Sequence, residues 1–246
     1  MGTSRQSGFT VIEVMLFLGV TGGLFAALLV GMNTGIAQQR YKEAVVDYSS
    51  HLQDQYSLAT TVLNSRSNTY TCVDGTIAPS DGVGDVRGAS PCVILGRAVE
   101  MTENGTVIKT SLVIGQEPTG NSAVDDITVL RNYQPKIVSA IDQTVTEREL
   151  DWATSAKVVG ENGHSQAAML VLRSPASGLT RVFASKGGLP QNLTDIITTF
   201  NATAVVDSCI RGKAFIQPSM VVSVDASIAG PDGVTTRESA GDAESC

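Results

Sequence analysis

Several familiar chemical signatures are missing from this sequence of 246 residues. It contains no G-x-x-x-x-G-K-S/T phosphate loop, no G-x-S-x-G nucleophile elbow and no H-E-x-x-H zinc motif. None of its four cysteines belongs to a C-x-x-C pair, and two histidines leave little material for acid–base catalysis. These absences argue against a nucleotide-driven motor, a zinc ribbon and a thioredoxin-type redox protein. We therefore expect no catalytic residues, no cofactor and no metal.

Positive charge is scarce as well. The chain has 17 Lys and Arg residues against 24 Asp and Glu residues, which gives a formal net charge of −7. Attraction to phosphates requires a basic face, so a nucleic-acid partner is not expected. Aromatic residues make up 5% and apolar residues 42% of the chain, which fits neither a disordered protein nor one with many membrane spans.

One segment carries no charge at all. Residues 14–32 read VMLFLGVTGGLFAALLVGM, without Asp, Glu, Lys or Arg. About 20 apolar residues at 1.5 Å each cross a bilayer, so we expect this segment to contact membrane lipid as a single span. A cleaved secretory signal is one alternative, but the run is long and no A-x-A site follows it. A plain anchor is the other, and it leaves the carboxylate of Glu13 unexplained.

The residues in front of the span form a known pattern. The segment GFTVIE, residues 8–13, sets a glycine and a phenylalanine before a glutamate, and the apolar run follows. This arrangement resembles the processing site of the type IV prepilin and type II secretion pseudopilin family. The resemblance implies that a prepilin peptidase cuts between Gly8 and Phe9 and methylates the new Phe9 amine. Residues 1–8 would then be a leader peptide, although it holds one basic residue where several are common.

Within this resemblance Glu13 has a physical role in assembly. Cleavage would expose a positive amine on Phe9, and a carboxylate among packed apolar helices requires a partner. An incoming subunit could place its Phe9 amine against Glu13 of a neighbour, in a head-to-tail contact that does not close and so extends a filament. The implied partners are the prepilin peptidase, other pilin or pseudopilin subunits and an inner-membrane assembly platform. The implied location is the cytoplasmic membrane with the head outside the cytoplasm, and the cell surface or periplasm once in a filament.

The helical pattern continues beyond the span. Apolar residues recur at intervals of three or four through residues 33–66 and form one face. The members of this stripe are Tyr41, Val45, Tyr48, Leu52, Tyr56, Ala59 and Val62. With no proline before Pro79, we predict one helix from about Phe9 to Ser65, roughly 85 Å long at 1.5 Å per residue. Residues 9–32 would be its transmembrane or filament-core part, and residues 33–66 an amphipathic continuation on a head.

Residues 67–246 change to short β-like runs separated by turns. The predicted strands are 92–101, 106–115, 126–131, 136–141, 157–159, 167–173, 179–185, 203–210, 213–216 and 219–228, and the predicted short helix is 192–200. Asn104-Gly105 and the turn at 174–178 are hairpin signals, which favour an antiparallel sheet or sandwich. We therefore predict an α+β fold: a long N-terminal α-helix, membrane-spanning in its first half, packed on an antiparallel β-rich extracytoplasmic head.

All four cysteines lie beyond the span, on the side where disulfides persist. Of three possible connectivities, we predict the sequential one, Cys72 with Cys92 and Cys209 with Cys246. The second bond would tether a terminal segment rich in Gly, Asp and Ser, and a free, frayed Cys246 is the alternative. The three aspartates within residues 74–85 do not match an EF-hand, so no calcium site is predicted.

Two classes of function remain open at this point. The first is a structural subunit, a minor pilin or pseudopilin, of a type IV pilus or a type II secretion-like filament. The second is a membrane-anchored extracytoplasmic binding protein or enzyme that uses the prepilin export route. We favour the first, because no set of residues suggests catalysis. Adhesion, motility, DNA uptake and secretion are not separated by the sequence, although the acidic head disfavours DNA capture.

Overall fold

The computed structural model describes residues 10–61, 70–80, 82, 84–86, 88–120, 125–138, 144–160, 166–212 and 219–239. Within these residues one long N-terminal helix packs on a head of antiparallel strands, so the predicted α+β fold is confirmed. Gly8, Phe9 and Cys246 lie outside the described residues.

Helix α1 runs from Val11 to Thr60 and is about 75 Å long at 1.5 Å per residue. The side chain of Thr10 caps its first turn, and the Thr61 N–H donates to the Ser57 carbonyl at its last turn. The prediction of one uninterrupted helix is confirmed, although α1 ends at Thr60 rather than near residue 65.

The strands of the head are short and alternate with tight turns. They are β1 (Tyr70–Val73), β2 (Thr76–Pro79), β3 (Cys92–Thr102), β4 (Val107–Gln116), β5 (Lys136–Ile137), β6 (Val145–Glu149), β7 (Ser155–Val158), β8 (Ala167–Arg173), β9 (Thr180–Lys186), β10 (Val205–Arg211), β11 (Met220–Asp225) and β12 (Val234–Glu238). A second helix, α2, spans Asp126–Asn132.

These strands form three antiparallel sheets. The largest has the order β5-β4-β3-β8-β9, and β6 also pairs with β4. A four-stranded sheet has the order β12-β11-β10-β7, and β1 pairs with β2 in a separate hairpin. The predicted hairpins β3–β4 and β8–β9 are both present. In the first, Asn104 and Gly105 adopt φ values of 58° and 85°, and a Cβ on Gly105 would lie 1.8 Å from the Ala156 carbonyl oxygen.

The apolar stripe of α1 lies in the core between the two larger sheets. Six of its seven predicted members are buried, and Val62 lies outside the described residues. A second apolar cluster covers the other face of the largest sheet, where Leu130 of α2 and Ile197 pack near Phe183 of β9. Both faces of that sheet are therefore covered, which explains why the β8 sequence AAMLVLR is apolar without alternation.

Several predicted elements are corrected by the structure. Residues 126–131, predicted as a strand, belong to α2, because the Asp125 side chain accepts the Thr128 N–H and caps a helix. The predicted helix 192–200 shrinks to one 3-10 turn at Leu193–Asp195. Of the predicted strand 136–141, Lys136–Ile137 forms a strand and Val138 does not, while residues 139–141 and the predicted strand 213–216 lie outside the described residues.

Strands β6 and β12 are largely polar, and the sequence does not predict them. Strand β6, VTERE, pairs with β4 although Val145 is its one apolar residue. Strand β12 lies in the Gly- and Asp-rich terminal segment that we expected to depend on a disulfide for order. Residues 234–238 pair with β11 in an antiparallel ladder, which contributes to their order in addition to any disulfide.

Candidate functional site

The part of α1 before Tyr41, called the bare half below, has mostly exposed side chains. Every large apolar residue from Val11 to Met32 is exposed, between 46% at Val14 and 75% at Ile12. These residues extend about 33 Å at 1.5 Å per residue, and the most apolar stretch of the helix buries nothing inside the chain. This helix is long and apolar enough to cross a membrane.

Between Val11 and Gln39, α1 carries one charged side chain, Glu13, at its first turn. The Thr10 N–H and the Thr10 hydroxyl both lie 3.3 Å from Glu13 Oε2, and the Glu13 N–H lies 3.4 Å from Thr10 Oγ1. These contacts form a capping box, which satisfies donors that a helix start leaves unpaired. Glu13 therefore stabilises the start of its own helix, a role that our sequence reasoning missed although the T-x-x-E spacing signals it.

One face of the bare half is lined by glycine and alanine. Gly19, Gly23, Ala27, Gly31 and Gly35 follow each other at intervals of four, so they lie along one side of α1. A Cβ added at any of the four glycines would meet no atom within 4 Å outside the adjacent backbone of α1. Small residues at this spacing let two helix backbones approach closely in an apolar environment.

The boundary between the bare and the buried halves falls at Tyr41. Its hydroxyl donates to the Ile210 carbonyl and accepts the Met220 N–H, both at 2.7 Å. One turn or two further, Tyr48 is fully enclosed, and burial raises its pKa to about 12. The Asp47 carboxylate of α1 forms an ion pair with the Arg148 guanidinium of β6 at 2.7 Å. Polar contacts therefore attach α1 to the head as well as apolar ones.

The disulfide between Cys72 and Cys92 is confirmed. It joins β1 to the start of β3. The Asp85 carboxylate, in the loop before β3, accepts hydrogen bonds from the Thr71 hydroxyl and the Cys72 N–H of β1 and from the Ser90 hydroxyl. Cys209 is disulfide-bonded, and its predicted partner Cys246 lies outside the described residues.

The described residues offer little for catalysis or metal binding. No three His, Cys, Asp or Glu side chains among them converge on one point. The head has an open cleft of about 760 Å³ beside α2, into which Arg131 and Lys136 bring positive charge. The cleft's described lining consists otherwise of amide and hydroxyl side chains and Pro135, with no histidine, cysteine or carboxylate. Such a lining supplies hydrogen-bond donors but neither a nucleophile with its base nor an acid–base pair.

No family model, no curated protein and no solved structure matches this chain. A functional interpretation therefore depends on the segment GFTVIE and on the geometry of α1.

Proposed function

We propose that this chain is a structural subunit, a minor pilin or pseudopilin, of a type IV pilus or a type II secretion-like filament. In this proposal a prepilin peptidase cuts between Gly8 and Phe9, and the subunit assembles through the first half of α1. The observation that carries the proposal is the division of α1 at Tyr41 into a bare apolar half and a half buried in the head.

The bare half requires a cover. Apolar surface in water costs about 25 cal/mol per Å², so the row of exposed apolar side chains on α1 must be buried by something other than this head. In the membrane, lipid would cover it. In a filament, the same surface would pack on the helices of neighbouring subunits, and the small residues along one face favour that packing.

Glu13 supports assembly over a plain anchor. An anchor requires apolar residues alone, and a carboxylate at the edge of the span weakens it. The capping box accounts for part of the position of Glu13, because a glutamate or a glutamine at this place completes the box equally. A charge requirement for assembly is therefore separable from the capping role by exchanging glutamate for glutamine.

The filament experiment uses three variants in cells that make the filament and lack the unaltered chain. Glu13→Gln keeps the cap and removes the charge, Glu13→Leu removes both, and Thr10→Ala removes the cap but keeps the charge. The amount of chain in sheared filaments is measured against the amount in the membrane fraction.

We expect all three variants in the membrane fraction. Glu13→Gln and Glu13→Leu should reduce the chain in sheared filaments about tenfold or more, because the amine of the neighbouring subunit is left without its carboxylate partner. The amount of the Thr10→Ala chain in sheared filaments should stay within about twofold of that of the unaltered chain. A lost cap costs only ~1 kcal/mol in a helix of this length. Normal incorporation of Glu13→Gln contradicts the assembly role of the charge.

A further inference from the structure

Arg40 and Trp152 meet where α1 leaves the head. The guanidinium carbon of Arg40 lies 4.5 Å from the centroid of the Trp152 ring, the separation of a cation–π contact. Trp152 is the one tryptophan of the chain, and 51% of its surface is exposed. The ring lies on the outside of the head, so packing in the core does not explain its position.

The backbone around Trp152 holds the ring outward at a conformational cost. Trp152 has φ 57° and ψ 29°, and Ala153 has φ 53°, so two successive residues with a Cβ adopt the left-handed conformation. The turn lies between β6 and β7 and is closed by the Thr154 hydroxyl, which donates to the Asp151 carbonyl at 2.8 Å. A strained backbone that presents an exposed aromatic side chain points to a role for that side chain.

The position of Arg40 along α1 indicates what the ring faces. Arg40 is the first charged residue after Glu13, and the 26 residues between them are uncharged. The two residues are about 40 Å apart at 1.5 Å per residue, which matches a bilayer of roughly 40–45 Å including its headgroups. Tyr41, the next residue, is the first of the residues with a described burial to be buried. If α1 spans the membrane from Glu13, Arg40 and Trp152 lie at the headgroup level on the side of the head.

The charges around this contact leave the cation of Arg40 available. The Asp47 and Asp151 carboxylates are paired with Arg148, whose guanidinium lies 2.7 Å from Asp47 and 3.7 Å from Asp151. Among the described residues no carboxylate lies within 4.0 Å of Arg40. Tryptophan favours the membrane–water interface because its ring is apolar and its N–H is polar, and arginine binds phosphate through several donors.

We propose that Arg40 and Trp152 form a membrane-interface contact that seats the head on the phospholipid headgroups before assembly. The Arg40 guanidinium binds lipid phosphate, and the Trp152 ring enters the layer of glycerol and carbonyl groups beside it. This contact fixes the tilt of the head relative to the membrane, and it is lost when the subunit leaves the bilayer. The inference of this contact rests on the membrane-spanning part of the proposed function.

Tryptophan fluorescence tests this contact directly, because Trp152 is the one source of indole emission. The full chain is reconstituted into vesicles of phosphatidylethanolamine and phosphatidylglycerol, with bromine atoms placed on the lipid chains either near the glycerol or near the bilayer centre. We expect the shallow bromines to remove about half of the emission and the deep bromines to remove little of it. Unchanged emission with both lipids, or stronger quenching by the deep bromines, overturns the proposal.

A matched pair of charge reversals tests the part played by Arg40. Arg40→Glu should reduce the quenching by bromines near the glycerol to a third or less of that in the unaltered chain, because a carboxylate is repelled by lipid phosphate. Lys42→Glu makes the same change in net charge two residues away on the exposed side of α1 and should leave the quenching unaltered. Equal quenching in Arg40→Glu and the unaltered chain contradicts the proposal.

Flotation of the same vesicles separates this inference from the proposed function. A chain that floats with the vesicles but shows no bromine quenching retains its span and lacks the headgroup contact. A chain that remains at the bottom of the gradient contradicts both the span and the contact. The variants are compared by circular dichroism, so that a change in quenching is read only from chains with the helix and strand content of the unaltered protein.

Discussion

At the scale of single residues, His51 of α1 contacts the largest sheet, and its protonation affects stability there. Its Nε2 lies 3.1 Å from the Thr110 hydroxyl of β4. Burial and then the positive charge of Arg148 lower the pKa of His51, while Asp47 and Asp54 act in the opposite direction. The folded chain therefore favours the neutral imidazole.

This lowered pKa predicts a loss of stability in weak acid. As the pH falls below the ordinary value of 6.5, the unfolded chain takes up a proton that folded His51 resists, so the free energy of unfolding decreases until the folded pKa is reached. His51→Gln keeps a hydrogen-bonding side chain and removes the titration. We expect its denaturation midpoint in detergent to fall less between about pH 7.5 and pH 5 than that of the unaltered chain. An equal fall in both proteins contradicts this assignment.

Single residues also show what a sequence can and cannot reveal about the candidate site. The capping box is legible from spacing alone, because Thr10 and Glu13 are three residues apart on one helix turn. The contact between Arg40 and Trp152 cannot be predicted from the sequence, because it joins residues far apart in the chain and depends on the left-handed turn before β7. No local pattern marks an alanine or a tryptophan for that conformation.

At the scale of elements, the buried half of α1 is the best predicted part of the protein. Its apolar residues repeat at the helical period, and that repeat directly encodes which face enters the core. The polar partners inside the core were not predicted, since they come from strands distant in sequence. Tyr41 and Tyr56 differ in this respect: the Tyr41 hydroxyl makes two hydrogen bonds, whereas the Tyr56 hydroxyl is buried without a partner among the described residues.

A pair of phenylalanine substitutions measures this difference. Tyr41→Phe leaves the Ile210 carbonyl and the Met220 N–H without their partner, and it should lower the free energy of unfolding by about 1–3 kcal/mol. Tyr56→Phe removes a hydroxyl that only costs desolvation, so it should be neutral or slightly stabilising. Chemical denaturation of the full chain in detergent gives both values. Equal effects of the two substitutions contradict this difference between the hydroxyls.

The errors at this scale have two causes, one for the helix taken as a strand and one for the polar strands. Residues 126–131 look like a strand because their apolar residues are β-branched or alternate, but the cap at Asp125 and burial of Val129 and Leu130 favour a helix. Strands β6 and β12 lie at sheet edges or on exposed faces, where polar side chains are tolerated and the alternation of apolar residues is lost. Sequence periodicity identifies elements that are buried and misses elements held mainly by backbone pairing.

At the scale of the whole molecule, the division of α1 governs the fold and the proposed function together. The sequence predicted the long helix and the β-rich head, because charge and periodicity change sharply along the chain. It did not predict that α1 would lie in the core between two sheets, since strand order depends on contacts between distant segments. The Cys72–Cys92 bond was predictable from cysteine order, and the structure contains it.

The central claim is that the chain is processed as a prepilin, and the N-terminus of the mature protein tests it most directly. The full chain is produced with a prepilin peptidase, beside a Gly8→Val variant as the control, and the N-terminal peptides are sequenced by mass spectrometry. We expect the unaltered chain to begin at Phe9 with a methyl group on its amine, and the Gly8→Val chain to keep residues 1–8. A chain that still begins at Met1, or that is cut anywhere other than before Phe9, contradicts the proposed function.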